Sequence, residues 1–268
     1  MLFYHIARSL LDSWIETDPL ISSTFCTLVS MYNIMSRATV ALVYIKLGIS
    51  LCRRFQIHTV CRPPTLSDKR WRSRKRAWRT LIFFGAWISA TIGYLSHNDW
   101  DIPGEGNFDV VERSAGADVE DMVQIEMVKI AVLKRNIPHI NMAFPHLAAN
   151  TINTIEKDLD WWYHELPPIM YLSNLTKKDD LSSFSAELRR TIYYVHLLYL
   201  GALILLDRRI AVQSSSIELN GELSMCSDVS VNKPADDSAI AVEQSARILG
   251  LLLDEGGVFE RYWIVQPG

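Results

Sequence analysis

Apolar residues recur every three or four positions along almost the whole chain, the spacing that lines one face of an α-helix. Leu2, Ile6 and Leu10, with Phe3, Leu11 and Trp14, mark the face of a first helix over residues 2–16, stopped at the Asp18-Pro19 step. Pro19 suits the opening of a second helix over 20–36, because its fixed φ is already helical and its missing N–H is not needed there. Residues 38–55 are apolar on nearly all sides, which predicts a central, buried helix. Arg62-Pro63-Pro64 then breaks the chain, and Ser67 with Asp68 offers capping oxygens to a helix over 69–96. That helix is basic in its first half and apolar in its second.

Residues 97–118 hold Pro103, Gly104, Gly106 and Gly116 and read as a long acidic loop. Residues 119–134 are amphipathic, Val119, Met122, Val123, Glu126 and Met127 showing both faces. After Pro138 and Pro145 a helix is expected over 147–166, closed by Pro167-Pro168. Residues 179–212 form the longest candidate helix, and the Ser-rich stretch 213–235 reads as a loop. Asp236 or Asp237 caps a last helix over 239–254, ended by Gly256-Gly257, and Phe259, Tyr262 and Trp263 form a short aromatic tail. Strand alternation and fixed-period repeats are missing. The pattern predicts an all-α fold, a single helical domain of eight or nine helices with no significant sheet.

The mean hydropathy of +0.08 makes membrane spans the first alternative to test. The densest apolar runs, 81–95 and 193–206, are 15 and 14 residues long. A spanning helix needs roughly 20. Such lengths fit helices buried in a soluble core, so an integral membrane protein using those two runs is the second reading. Met1 is followed by His5 and Arg8 inside what would be the apolar part of an export signal, so no signal peptide is expected.

Composition narrows the class. Half of the 268 residues are apolar (49%), with 8 Trp, 10 Tyr and 9 Phe, which excludes a disordered chain. Cys26, Cys52, Cys61 and Cys226 form no C-x-x-C pair, which argues against a compact thiolate metal site and points to a reducing compartment. The net charge of −3 conceals an asymmetry: residues 1–100 carry 13 Lys and Arg against 5 Asp and Glu, and residues 101–268 carry 14 against 25. A local basic patch on an acidic protein does not describe a chain built to coat nucleic acid.

Catalytic signatures are missing: there is no phosphate loop, nucleophile elbow or zinc-protease helix. His164 and Glu165 are neighbours, and neighbours on a helix point about 100° apart. The seven histidines (5, 58, 97, 139, 146, 164 and 196) have no ligand spacing beyond His139 and His146, and Asn174-Leu175-Thr176 fits a glycosylation pattern that marks only a loop. No enzymatic activity and no metal ligand is expected. The one charged feature of note is Lys69, Arg70, Arg72, Arg74, Lys75, Arg76 and Arg79, with Trp71 and Trp78 between them. It reads as a nuclear-import or phosphate-binding patch, or as cations whose stems cover the core while their heads reach acids near 99–121.

At this helix the sequence resembles a known family. Arg74-Lys75-Arg76-Ala77-Trp78-Arg79-Thr80-Leu81-Ile82-Phe83-Phe84, then Trp87-Ile88-Ser89 and Ile92-Gly93, is similar to the signature of the fungal-specific transcription factor domain, the middle homology region of the fungal zinc-cluster transcription factors. Upstream, Gln56-Ile57-His58 stands where that family has a helix ending in Gly-Leu-His. Downstream, Leu159-Asp160-Trp161-Trp162-Tyr163-His164-Glu165-Leu166-Pro167 is similar to the family's helix ending in Trp and Leu-Pro. Val195-His196-Leu197-Leu198-Tyr199 and Ala202-Leu203-Ile204-Leu205-Leu206-Asp207-Arg208-Arg209 resemble its apolar helix ending in a basic pair, and residues 239–253 its Ala-rich helix. Gly85 replaces an Asp, and Tyr94-Leu95 an Arg-Pro.

The resemblance covers roughly residues 20–263. It implies an N-terminal helix over 1–18, the regulatory domain over 19–263 and a tail over 264–268. It implies a nuclear regulator acting through other transcription proteins, a homodimer partner or a small-molecule effector, and no membrane. DNA and zinc belong to the family's six-cysteine head, whose spacing the four cysteines lack, so neither is expected of these residues, and no cofactor is expected in this chain.

Overall fold

Asp18 sets the start of the first well-defined helix: its carboxylate accepts from the backbone N–H groups of Leu20 at 2.8 Å and Ile21 at 3.4 Å, with Pro19 next in line. A computed structural model describes residues 13–15, 18–34, 38–59, 62–92, 118–140, 145–175, 184–219 and 234–256, with Ile6 and Ser9 before them. The chain is all-α, and there is no strand among the described residues. Its helices are α1 (Pro19–Asn33), α2 (Ala38–Arg54), α3 (Asp68–Ile92), α4 (Val119–Asn136), α5 (Pro145–His164), α6 (Leu172–Leu175), α7 (Ala186–Leu219) and α8 (Pro234–Asp254). They gather into two compact units, residues 1–135 and 136–268.

In the first unit α1, α2 and α3 pack on one another. The buried side of α1 is small and polar, with Ser22, Cys26 and Ser30 four residues apart on one face. Their hydroxyls cost little because each returns to its own helix: Ser22 donates to the Asp18 carbonyl and Ser30 to that of Cys26. Small side chains let the backbones approach. A Cβ added to Gly48 of α2 would stand 2.9 Å from both Leu81 methyls and 3.0 Å from the Cys26 Cβ, so the three helices meet there. Central α2 is buried as its pattern predicts, through Ala41, Ile45, Ile49 and Cys52.

The end of α2 is a left-handed turn. Ile57 N–H reaches back to the Cys52 carbonyl at 2.8 Å and Gln56 N–H to that of Arg53 at 3.0 Å. Gln56 takes φ +54°, the conformation glycine adopts without strain. Ile57 is fully buried behind it. Ser67 then caps α3, its hydroxyl accepting from Arg70 N–H at 3.4 Å.

In the second unit a 3-10 turn, Ile137–His139, packs on α7, and Arg209 holds it by donating to the Pro138 carbonyl at 2.9 Å. Pro167 closes α5 and a second 3-10 turn, Pro168–Met170, follows. Helix α8 packs along α7 and ends at Gly256, with φ +66°. There the Arg189 guanidinium donates to the Glu255 carboxylate at 2.9 Å.

Two boundaries and one residue depart from the periodicity. Helix α7 continues to Leu219, through serines expected in a loop, because extending a formed helix requires far less ordering than starting one. Helix α8 starts at Pro234, so Asp236 and Asp237 lie within its first turn instead of capping it. Glu126, placed on an amphipathic helix, is 2% exposed and paired with Lys129 one turn on. The helix over 2–16, the loop over 97–117 and the aromatic tail lie largely or wholly outside the described residues. Of the two apolar runs, 81–92 contributes buried Leu81, Ile82, Phe84 and Ile88 to the first unit. The other belongs to Ala186–Ala211, among the described residues the one helix long and apolar enough to cross a membrane.

Candidate interaction site

The seven cations of α3 fall into groups that the linear sequence does not separate. Lys69, Arg72, Arg76 and Arg79 recur at intervals of three and four, so they form a ladder along one face. Its upper half is occupied by the start of α4. Arg79 donates to the Asp121 carboxylate at 3.0 Å, with side-chain exposures of 9% and 8%. Arg76 stands 3.3 Å from Glu120, 3.4 Å from Asp121 and 3.8 Å from Asp118. Asp118 also caps α4 by accepting from Asp121 N–H at 2.8 Å. Carboxylates at a helix N-terminus are favoured by its dipole, so α4 and the ladder hold the same acids from two sides. Gln124 extends the seam, donating to the Thr80 hydroxyl at 3.3 Å. Burial pushes the Arg79 guanidinium below its usual range, and Asp121 works against that shift.

Lys75 is used differently. Its ammonium donates to the carbonyls of Thr59 and His58 and lies 5.0 Å over the Trp71 ring, tying the turn after α2 to α3. Buried Trp78 meets the His58 ring at 6.2 Å, and the His58 Nδ1 is buried without a partner. Arg74 is half-buried and its Nε has no acceptor. Lys69, Arg70 and Arg72 are exposed and make no ion pair among the described residues. The expected patch is therefore split. Arg76 and Arg79 meet acids at 118–121, within the stretch the sequence points to, Lys75 is engaged by carbonyls and a ring instead, and Lys69, Arg70 and Arg72 face solvent.

The second unit holds an aromatic cluster, built from two segments of the family likeness, 159–167 and 195–199. Tyr163 stacks on Tyr199 at 4.9 Å, Trp162 lies 5.5 Å from Tyr199, and Tyr163 stands 6.3 Å from His196. His196 is 1% exposed and its Nε2 is 2.8 Å from the Met170 carbonyl. Burial pulls the imidazole below its usual value, with that carbonyl opposing, so it is held neutral as a core residue. Nothing in the sequence separates His196 from the other histidines except its place in an apolar run.

Among the described residues no group of three or more His, Cys, Asp or Glu side chains could hold a metal ion. Cys26 and Cys52 are buried in α1 and α2, and burial pushes each thiol up to about 12. Asn174 of the Asn-Leu-Thr triplet lies in α6 and donates to the Pro168 carbonyl at 2.7 Å. Compared with known proteins, the chain matches no family model, no curated protein and no solved structure.

Proposed function

We propose that this chain is the regulatory domain of a fungal zinc-cluster transcription factor, acting in the nucleus through other transcription proteins, a second copy or a small effector. The reading is carried by the ordered likeness over residues 20–263. Gln56 adds physical support: the family's helix ends in Gly-Leu-His, and here the residue in the Gly position takes the left-handed conformation that glycine favours. Trp78 and Arg79 of the signature are both buried, so this part of the likeness falls on core residues.

The family's head uses cysteine thiolates as zinc ligands. Cys26 and Cys52 do not fit that role, since burial among helices holds both as thiols. Regulation without a DNA contact by these residues is accordingly part of the proposal. The test is to tether the chain to a heterologous DNA-binding domain upstream of a reporter in a fungal cell. A rise or fall in transcription is expected, and an unchanged reporter with the protein in the nucleus would overturn the reading. Tight, sequence-specific binding in a gel shift by this chain alone would overturn the part about DNA.

A second reading, an integral membrane protein, rests on helix Ala186–Ala211. Between Arg190 and Asp207 that helix offers 16 residues, roughly 24 Å, against a hydrocarbon core of about 30 Å. Release of the chain from membranes by high salt, without detergent, would exclude it.

A further inference from the structure

The ladder on α3 is half filled. Arg79 and Arg76 are met by Asp121, Glu120 and Asp118, while Arg72 and Lys69, one and two turns below on the same face, are exposed with no carboxylate among the described residues. Arg70 stands beside them, also exposed. The fold gains nothing visible from these three. They crowd like charges into the first turns of α3, where the helix dipole disfavours cations, and one carboxylate of that turn, Asp68, is already taken by Arg62. The filled half shows what the surface accepts: carboxylates close together in sequence, Asp118, Glu120 and Asp121, at the start of one helix.

We propose that the open half, Lys69, Arg70 and Arg72, is a docking surface for an acidic peptide segment of a partner protein, whose carboxylates meet the cations that Asp118, Glu120 and Asp121 leave open. The choice of an acidic peptide over nucleic acid follows from charge. The chain carries a net −3 and its residues 101–268 are strongly acidic, so a long polyanion is repelled as a whole while a short carboxylate segment meets only the local patch. The partner needs two or three Asp or Glu close together in sequence, since Lys69 to Arg72 spans about one turn, roughly 4.5 Å. This goes beyond the regulatory role and does not depend on it.

The experiment uses the full chain and a fluorescein-labelled peptide of about ten residues rich in Glu, followed by anisotropy at low salt and again at about 0.5 M, where screening is strong. Binding at low salt that weakens at high salt is expected. The variant K69E/R72E is expected to lose at least about tenfold in affinity, and its melting temperature to stay level or rise, because Glu suits the first turns of a helix. Failure of the peptide to bind, or equal binding by the variant, overturns the proposal. So does a duplex oligonucleotide that binds through these residues while the peptide does not. A parallel chain with Asp99, Asp101, Glu105, Asp109 and Glu112 changed to Asn or Gln separates the remaining case. If the peptide binds only that chain, the occupant is the protein's own acidic segment and the external partner is refuted.

Discussion

Residues 1–135 and 136–268 are both all-α with apolar interiors, yet each adds a different feature to its core. In the first unit helices meet through Ser22, Cys26, Ser30 and Gly48, and the large polar groups taken inside, Arg79 and Asp121, answer one another across elements. In the second unit the interior is filled by rings and long aliphatic chains, Trp162, Tyr193, Leu159 and Met170, with one imidazole satisfied by a carbonyl. A crossing built on small residues has no room for more volume. In the second unit, Gly250 of α8 has open space beside it. Of the α3 cations, Arg76 and Arg79 tie the first unit together through the acids at the start of α4.

The largest test of this contrast is Asp121→Ala. It leaves the Arg79 guanidinium buried without its carboxylate, and a loss of about 3–5 kcal/mol is expected from urea unfolding. Replacing both partners, Arg79→Met with Asp121→Leu, is expected to recover most of that loss, and failure to recover would mean the pair also positions α4. Next comes one substitution made in both units. Gly48→Ala meets Leu81 and Cys26 below 3.1 Å, so overpacking of about 1–3 kcal/mol exceeds the helix-propensity gain and the melting temperature falls. Gly250→Ala in α8 meets nothing within 4 Å and is expected to stabilise by up to about 1 kcal/mol. Equal signs at the two glycines would dissolve the comparison.

Gln56→Gly relieves a positive φ and is expected to add about 1 kcal/mol, read as a rise in melting temperature. The last effect is confined to acid. His196 has its folded pKa lowered by burial, so the unfolded chain binds the proton more readily. Its contribution is complete above about 6.5, the ordinary histidine value, and is lost as pH falls below it. In His196→Gln this share of the acid sensitivity is expected to disappear, as stability curves against pH would show.

How far the sequence alone reaches can be judged at particular residues. Pro19, Pro167 and Gly256 stand at or just beyond helix ends in the structure, because φ restrictions act locally and are readable one residue at a time, whereas α2 ends at Arg54, well before Pro63. The serines of 213–219 mislead, since their weak helix preference is outweighed by an existing helix that only has to continue. Glu126 misleads for a related reason: charge predicts exposure only when no counter-charge accompanies it inside, and Lys129 supplies one. The candidate site is legible as a run of cations near a run of acids. Its division into an engaged and an open half is not, because that depends on where α4 begins relative to each turn of α3.

The buried thiols of α1 and α2 also set how this protein can be handled at the bench. With both near 12, at pH 8 only roughly one Cys26 or Cys52 side chain in ten thousand is the reactive thiolate at any instant. A maleimide dye or spin label taken up rapidly by the native chain therefore resides outside this pair. Slow uptake at Cys26 or Cys52 would instead time the opening of the α1–α2 crossing, which makes the two cysteines a built-in clock for local unfolding.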